Sequence, residues 1–154
     1  MKIIDRQIVS ALQQVTQFVN DAQQSYEQAT KETQEPPLQR LYRLLLSQRA
    51  EYASELNQII RHHHGEAETG TTNQGLLYRQ WLDFKADIAD RKEAALLDIN
   101  LYGEEWIQKA YLAALEKDGL PQAIRQILER QRQACQQAYE ALLQLKTDGT
   151  GPNC

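Results

Sequence analysis

Long stretches without a glycine or proline, in which apolar residues return in alternating steps of three and four, restrict this chain to helices packed side by side. The four prolines and seven glycines gather mostly near positions 36–37, 65–75, 119–121 and the last residues, which leaves room for four long helices between them. The first is expected over 5–33, with Ile8, Leu12, Val15, Val19, Ala22, Tyr26 and Ala29 facing inward. Pro36-Pro37 ends it and opens a second helix over 38–64, because proline has no amide donor to continue a helix but suits a first turn. Its expected inner stripe is Leu38, Leu41, Leu45, Gln48, Tyr52, Leu56 and Ile59. A third helix over 91–117 carries Ala94, Leu97, Leu101, Glu104, Gln108, Tyr111 and Leu115. A fourth over 121–146 carries Ile124, Leu128, Gln131, Cys135, Ala138, Leu142 and Leu145.

The connections between these runs set the topology. Short links after the first and third helices make two antiparallel hairpins, and the long stretch between them must cross over from one hairpin to the other. Within that crossover, Gly65 to Gln74 has no period and reads as loop, whereas Leu77, Trp81, Phe84 and Ile88 recur at the spacing of a short amphipathic helix. Asp90 and Glu93 have the spacing of a capping-box variant at the start of the third helix. Asp118-Gly119-Leu120-Pro121 reads as a further short helical turn. Residues 1–146 then form a single domain, and 147–154 a flexible tail.

Charge and cysteine usage narrow the function classes. A net charge of −4, with the basic residues scattered, gives no footprint for nucleic acid. No apolar span long enough to cross a membrane and no N-terminal signal core are present, so a cytoplasmic protein is expected. Cys135 in mid-helix and Cys154 at the end make a poor disulfide pair, and both are expected as thiols. Cys135 has no sequence neighbour to activate it, which makes an inert core thiol the default over a nucleophile.

Three of the polar residues that break the apolar stripes, Gln48, Glu104 and Gln131, lie near the middle of three different helices. Buried polar groups must be paired, so one expectation is a core network in which Gln48, Glu104 and Gln131 exchange hydrogen bonds with Tyr26, Tyr52, Tyr111 and Tyr139. On that reading Glu104→Gln changes stability by only about 0.5–2 kcal/mol, since the hydrogen-bonding shape survives. The alternative is a metal centre. Asp21, Glu51 and Glu104 are its candidate ligands, but a di-metal carboxylate site needs a Glu-x-x-His pair on each of two helices, and no histidine lies at those positions. His62-His63-His64 cannot all face one ion, because successive helical residues point about 100° apart. They are expected to end the second helix, with Gly65 in the cap.

The two halves also resemble one another. Tyr26 precedes Pro37 about as far as Tyr111 precedes Pro121, and Gln48-Arg49 is answered by Gln131-Arg132. This is a weak internal repeat, which two unrelated hairpins packed in the same way would also display.

Four segments carry a family resemblance: Asn20-Asp21 to Tyr26, Gln48-Arg49 to Leu56, Tyr78 to Lys85, and Gly103-Glu104-Glu105 to Tyr111. Together, and above all in Trp81-x-Asp83-x-Lys85 and Gly103-Glu104, the chain resembles an uncharacterised bacterial ferritin-like four-helix-bundle family, a domain of unknown function distantly related to rubrerythrin. The resemblance implies an all-α, ferritin-like four-helix bundle and carries no established activity. Gln48 stands where members usually have glutamate and Tyr139 where many have histidine, which departs from a metal site. The expectation is therefore a non-catalytic bundle without cofactor, acting through protein–protein contacts as a homodimer, with a stress-associated role suggested by the wider superfamily. Trp81 and Phe84 either fasten the crossover or line a subunit contact. The alternatives are a degenerate iron- or manganese-binding protein or oxidase, and a bundle that holds a small apolar ligand.

Overall fold

The computed structural model describes residues 4–72 and 92–148. Within them the chain forms four α-helices: α1 (Arg6–Glu32), α2 (Pro36–His62), α3 (Lys92–Leu115) and α4 (Gln122–Asp148). Among the described residues there is no strand, and no helix is long and apolar enough to cross a membrane. The expected crossover helix around Leu77, Trp81, Phe84 and Ile88 lies outside these residues, as do Asp90 and positions 149–154. The fourth helix runs two residues beyond the expected end at 146, taking Thr147 and Asp148 out of the tail.

Helix directions follow from which residues meet. The Ser25 hydroxyl donates to Asn100 Oδ1 at 2.7 Å, Phe18 stacks on Trp106, and Thr33 donates to Glu93 at 2.6 Å, so α1 and α3 run antiparallel. Gln39 Nε2 bonds the Thr30 carbonyl across the α1–α2 turn, and Arg125 reaches the Leu115 carbonyl across the α3–α4 turn. Both hairpins are antiparallel. Helix α1 packs against α2 and α3, α4 packs against α3, and α2 meets α4 only lightly, while the backbones of α2 and α3 do not approach. Along the chain the helices run up, down, down, up, so that neighbours around the bundle alternate in direction and α2 and α3 lie parallel across its diagonal.

Between α2 and the limit of the described residues, the chain climbs back along α1. Gln13 donates to the Glu66 carbonyl, Asn20 to those of Glu68 and Gly70, and Asp21 accepts from Thr72. Asn57 on α2 holds the same strap, its amide clamping both the backbone N–H and the carbonyl of Glu68.

The local chemistry of the ends explains their positions. Asp5 caps α1 by accepting from the Gln7 amide at 2.7 Å, and the prolines open α2 as expected. The α2 terminus is a Schellman motif: Gly65 N–H bonds the Ile60 carbonyl at 2.8 Å and His64 N–H that of Arg61 at 3.0 Å. The left-handed residue is His64, with φ of 66°, and not the expected glycine. Gly65 is needed for another reason. A Cβ there would come within 2.6 Å of Val9 Cγ1 and 2.9 Å of Ile60 Cγ2. At the other end of the bundle, the two oxygens of Glu93 bind the Thr33 hydroxyl and the Gln34 amide, which ties the α1–α2 turn to the start of α3; its expected capping partner, Asp90, lies outside the described residues. Asp118 to Leu120 is a turn through Gly119, at φ of 78°, and not a helical turn.

Candidate functional site

The stripe of α2 is rotated by one residue from the expected one over much of its length. Leu38, Tyr42, Leu45, Arg49, Tyr52, Leu56 and Ile60 are buried, while Leu41, Gln48 and Ile59 sit at the margins. The sequence fits both phases, since Leu41 and Tyr42 are each apolar and so are Ile59 and Ile60. The choice matters in the middle, where it replaces a neutral glutamine by a guanidinium. Arg49 is fully buried, at 0% side-chain exposure, and its Nη1 lies 2.6 Å from Glu104 Oε2, itself 1% exposed. This ion pair spans the diagonal between α2 and α3.

Around it the groups are tightly shared. The same Glu104 oxygen accepts from the Tyr26 hydroxyl, and Arg49 Nε donates to Gln48 Oε1 at 3.1 Å. The guanidinium carbon lies 5.6 Å from the centre of the Tyr26 ring, which in turn stacks on Tyr42 at 6.1 Å. Burial, the largest single influence, would depress the Arg49 pKa, but the charge of Glu104, together with Cys135, Tyr26 and the hydrogen bond to Glu104, raises it overall and holds the guanidinium protonated. Burial first, and then the negative charge of Glu104, pushes Tyr26 well above the usual phenol range. Both keep fixed charge states: a cation and a neutral phenol. Arg49 Nη2, Glu104 Oε1 and the Tyr42 hydroxyl find no protein partner.

A second polar group lies beside the first. Tyr111 donates to Gln131 Oε1 at 2.7 Å, and Gln131 Nε2 donates to Glu55 Oε1 at 2.8 Å; Glu55 also pairs with Arg130 at the surface. Cys135 is within hydrogen-bonding reach of Tyr111, and burial chiefly pushes its thiol up to about 12. At that value almost no thiolate exists near neutrality, so the thiol is not activated as a nucleophile. Iodoacetamide at pH 8 should leave Cys135 unmodified in the native protein and alkylate it in urea, as read by peptide mass spectrometry.

The other sequence candidates scatter. Asp21 is buried but lies against the strap, where its carboxylate accepts from the Thr72 hydroxyl and from the Thr72 amide at 3.1 Å. Glu51 is exposed on the outer face of α2. Tyr52 is buried and Tyr139 half-buried against the core, and Gln48 is half-buried beside Arg49. His62 and His63 meet edge to face at 5.2 Å, and His63 Nδ1 accepts from the Ile4 amide at 3.4 Å. The halves of the internal repeat are not equivalent: α2 buries its arginine and leaves Gln48 half-buried, whereas α4 buries Gln131 and leaves Arg132 half-buried between Gln108 and Glu129.

This arrangement does not fit the di-metal centre that the ferritin-like resemblance brings with it. Asp21, Glu51 and Glu104 do not converge, and among the described residues no three His, Cys, Asp or Glu side chains do. The decisive observation is chemical. A guanidinium in direct contact already supplies the positive charge a carboxylate ligand would seek from a metal, and repels a dication from the same spot. The pair also changes the expectation for Glu104→Gln. With Arg49 wholly buried, that substitution strands a cation, and its cost rises from the level of one hydrogen bond to that of a broken buried ion pair.

Arg49 is the residue that periodicity alone missed. A carboxylate on an inward stripe calls for a cation within reach, and only Arg49 and Arg132 stand at comparable depth on the facing helices. Arg49 was therefore nameable as a candidate counter-ion, though not singled out.

No curated protein matches the chain. One family model does, over residues 7–117 of the 154, which takes in α1, α2 and α3 together with Tyr26, Arg49 and Glu104 and leaves α4 outside the match. The chain belongs to the family described as Domain of unknown function (DUF2383).

Proposed function

We propose that this is a non-catalytic, ferritin-like bundle whose polar centre fixes helix register, and that it acts through protein–protein contacts as a homodimer. The observation that carries the reading is the Arg49–Glu104 pair: one partly orphaned ion pair, with two phenols and a thiol all held in their neutral forms or pushed toward them, offers no group poised to exchange a proton or attack a substrate. The up-down-down-up order, with parallel α2 and α3 and a strap returning along α1, supports the ferritin-like arrangement with a long crossover. A role in the bacterial cytoplasm under stress belongs to the same reading, by analogy with the wider superfamily.

Elemental analysis of protein purified without a tag tests it. The expected result is sub-stoichiometric iron and manganese, with melting temperature unchanged by added metal. Near-stoichiometric iron or manganese that stabilises the protein and is lost in Glu104→Gln would overturn the non-catalytic reading in favour of a metal-dependent one.

A further inference from the structure

The outer face of α2 is built to meet itself. Arg40, Arg43, Leu44, Ser47, Ala50 and Glu51 all fall within one stripe of the helix surface and all are exposed, with Leu44 at 66%, the largest value among the exposed large apolar residues. Neither Arg43 nor Glu51 has a hydrogen bond or ion pair among the described residues. Arginine lies on one side of Ser47 and glutamate on the other, four residues away in each case.

That spacing has a geometric consequence. If two copies pack their α2 helices antiparallel about a two-fold axis at Ser47, a residue a given number of positions before Ser47 in one copy faces the residue the same number after it in the other. Arg43 then comes opposite the second copy's Glu51, twice over by symmetry, and each Leu44 comes opposite an Ala50. Large meets small, plus meets minus, and Ser47 on the axis allows the backbones to approach to about 8 Å. A parallel pairing would set Arg43 against Arg43 and Glu51 against Glu51 and is repelled.

Resting on the homodimer reading above, we propose that the protein dimerises through this face, with a second copy of the chain as its occupant. Two helices crossing bury less than the roughly 1,200 Å² at which stable interfaces begin, so the dimer dissociates on dilution.

Sedimentation velocity over a dilution series tests the proposal with the full chain. Arg43→Glu and Glu51→Arg each place like charges together and should weaken dimerisation tenfold or more. The double variant Arg43→Glu/Glu51→Arg restores opposite charges at both contacts and should recover most of the affinity. Leu44→Glu should abolish the dimer. Because all three positions are exposed, circular dichroism should show the same helical fold in every variant. A wild-type monomer at every concentration would overturn both this proposal and the homodimer reading. A dimer that none of the three single substitutions weakens, or singles that the double variant fails to rescue, would overturn this interface while leaving the homodimer reading in place.

Discussion

Arg49→Leu should cost about 3–5 kcal/mol of folding stability, measured by urea unfolding at pH 7, because it removes one half of a pair that water cannot reach and leaves the Glu104 carboxylate buried without a counter-charge. Leucine supplies apolar volume, so a cavity is not the main loss. Glu104→Leu should cost a comparable amount by stranding the guanidinium. The double variant Arg49→Leu/Glu104→Leu should be markedly more stable than either single, because no charge is then buried, although the Tyr26 hydroxyl and Gln48 lose a partner. A cycle in which the two losses simply add would refute a direct buried pair, since neighbours that share a contact must show coupling. The same cycle separates a structural centre from a functional one. If the pair serves register, the double variant keeps its helices but loses chemical-shift dispersion or cooperativity of unfolding.

Asp21→Ala should act on a single part of the molecule, the strap. The carboxylate receives both the amide and the hydroxyl of Thr72, both buried, and truncation orphans them at a cost of about 1–3 kcal/mol. Amide exchange at Gly70 and Thr72 should accelerate far more than at α1 or α4, because the remaining clamps at Asn20 and Asn57 hold the strap only below that point. Equal acceleration everywhere would mean that Asp21 supports the whole fold and not the strap. The pH dependence has a definite sign. Burial raises the Asp21 pKa above its ordinary value of 3.8, against the opposing Thr72 hydrogen bonds, so the folded protein holds this proton more tightly than the unfolded chain does. The ionised group therefore carries a penalty above its folded pKa, and that penalty is relieved as pH falls through the folded pKa toward 3.8. Asp21→Asn, which keeps the shape but cannot ionise, should flatten this pH dependence and lift the penalty present at neutral pH.

How much of this was written in the sequence differs from helix to helix. The helix bounds were legible because the prolines at 36–37 and the turn glycines punctuate them chemically, and the inner faces of α1 and α4 were legible because their apolar residues recur at a helical period among mostly polar ones. Helix α2 was ambiguous by about 100°, since apolar neighbours at 41–42 and 59–60 fit either phase, and one rotation step exchanged Gln48 for Arg49 at the centre. Helix α3 hid its orientation differently. It is apolar nearly all round, with Leu96, Ile99, Gly103 and Ile107 buried beside the expected stripe, so a single stripe understated what it packs against. The site was half legible. Glu104, Tyr26, Tyr111 and Gln131 were nameable from their positions, but which pairs would form depended on which helices stood diagonal, and no short-range pattern encodes that.

The up-down-down-up order has a consequence for the charges at mid-height. Every adjacent pair of helices is antiparallel, and the parallel pair, α2 and α3, sits across the diagonal. The four macrodipoles therefore cancel around the square, with two amino ends and two carboxyl ends at each face of the bundle. Little axial field is left in the middle. A carboxylate at Glu104, several turns from either end of α3, gains nothing from helix termini, and its counter-charge has to be brought in on a side chain. The long reach of an arginine from the opposite corner meets that need, and a lysine, with its compact, heavily hydrated ammonium, would satisfy it less well.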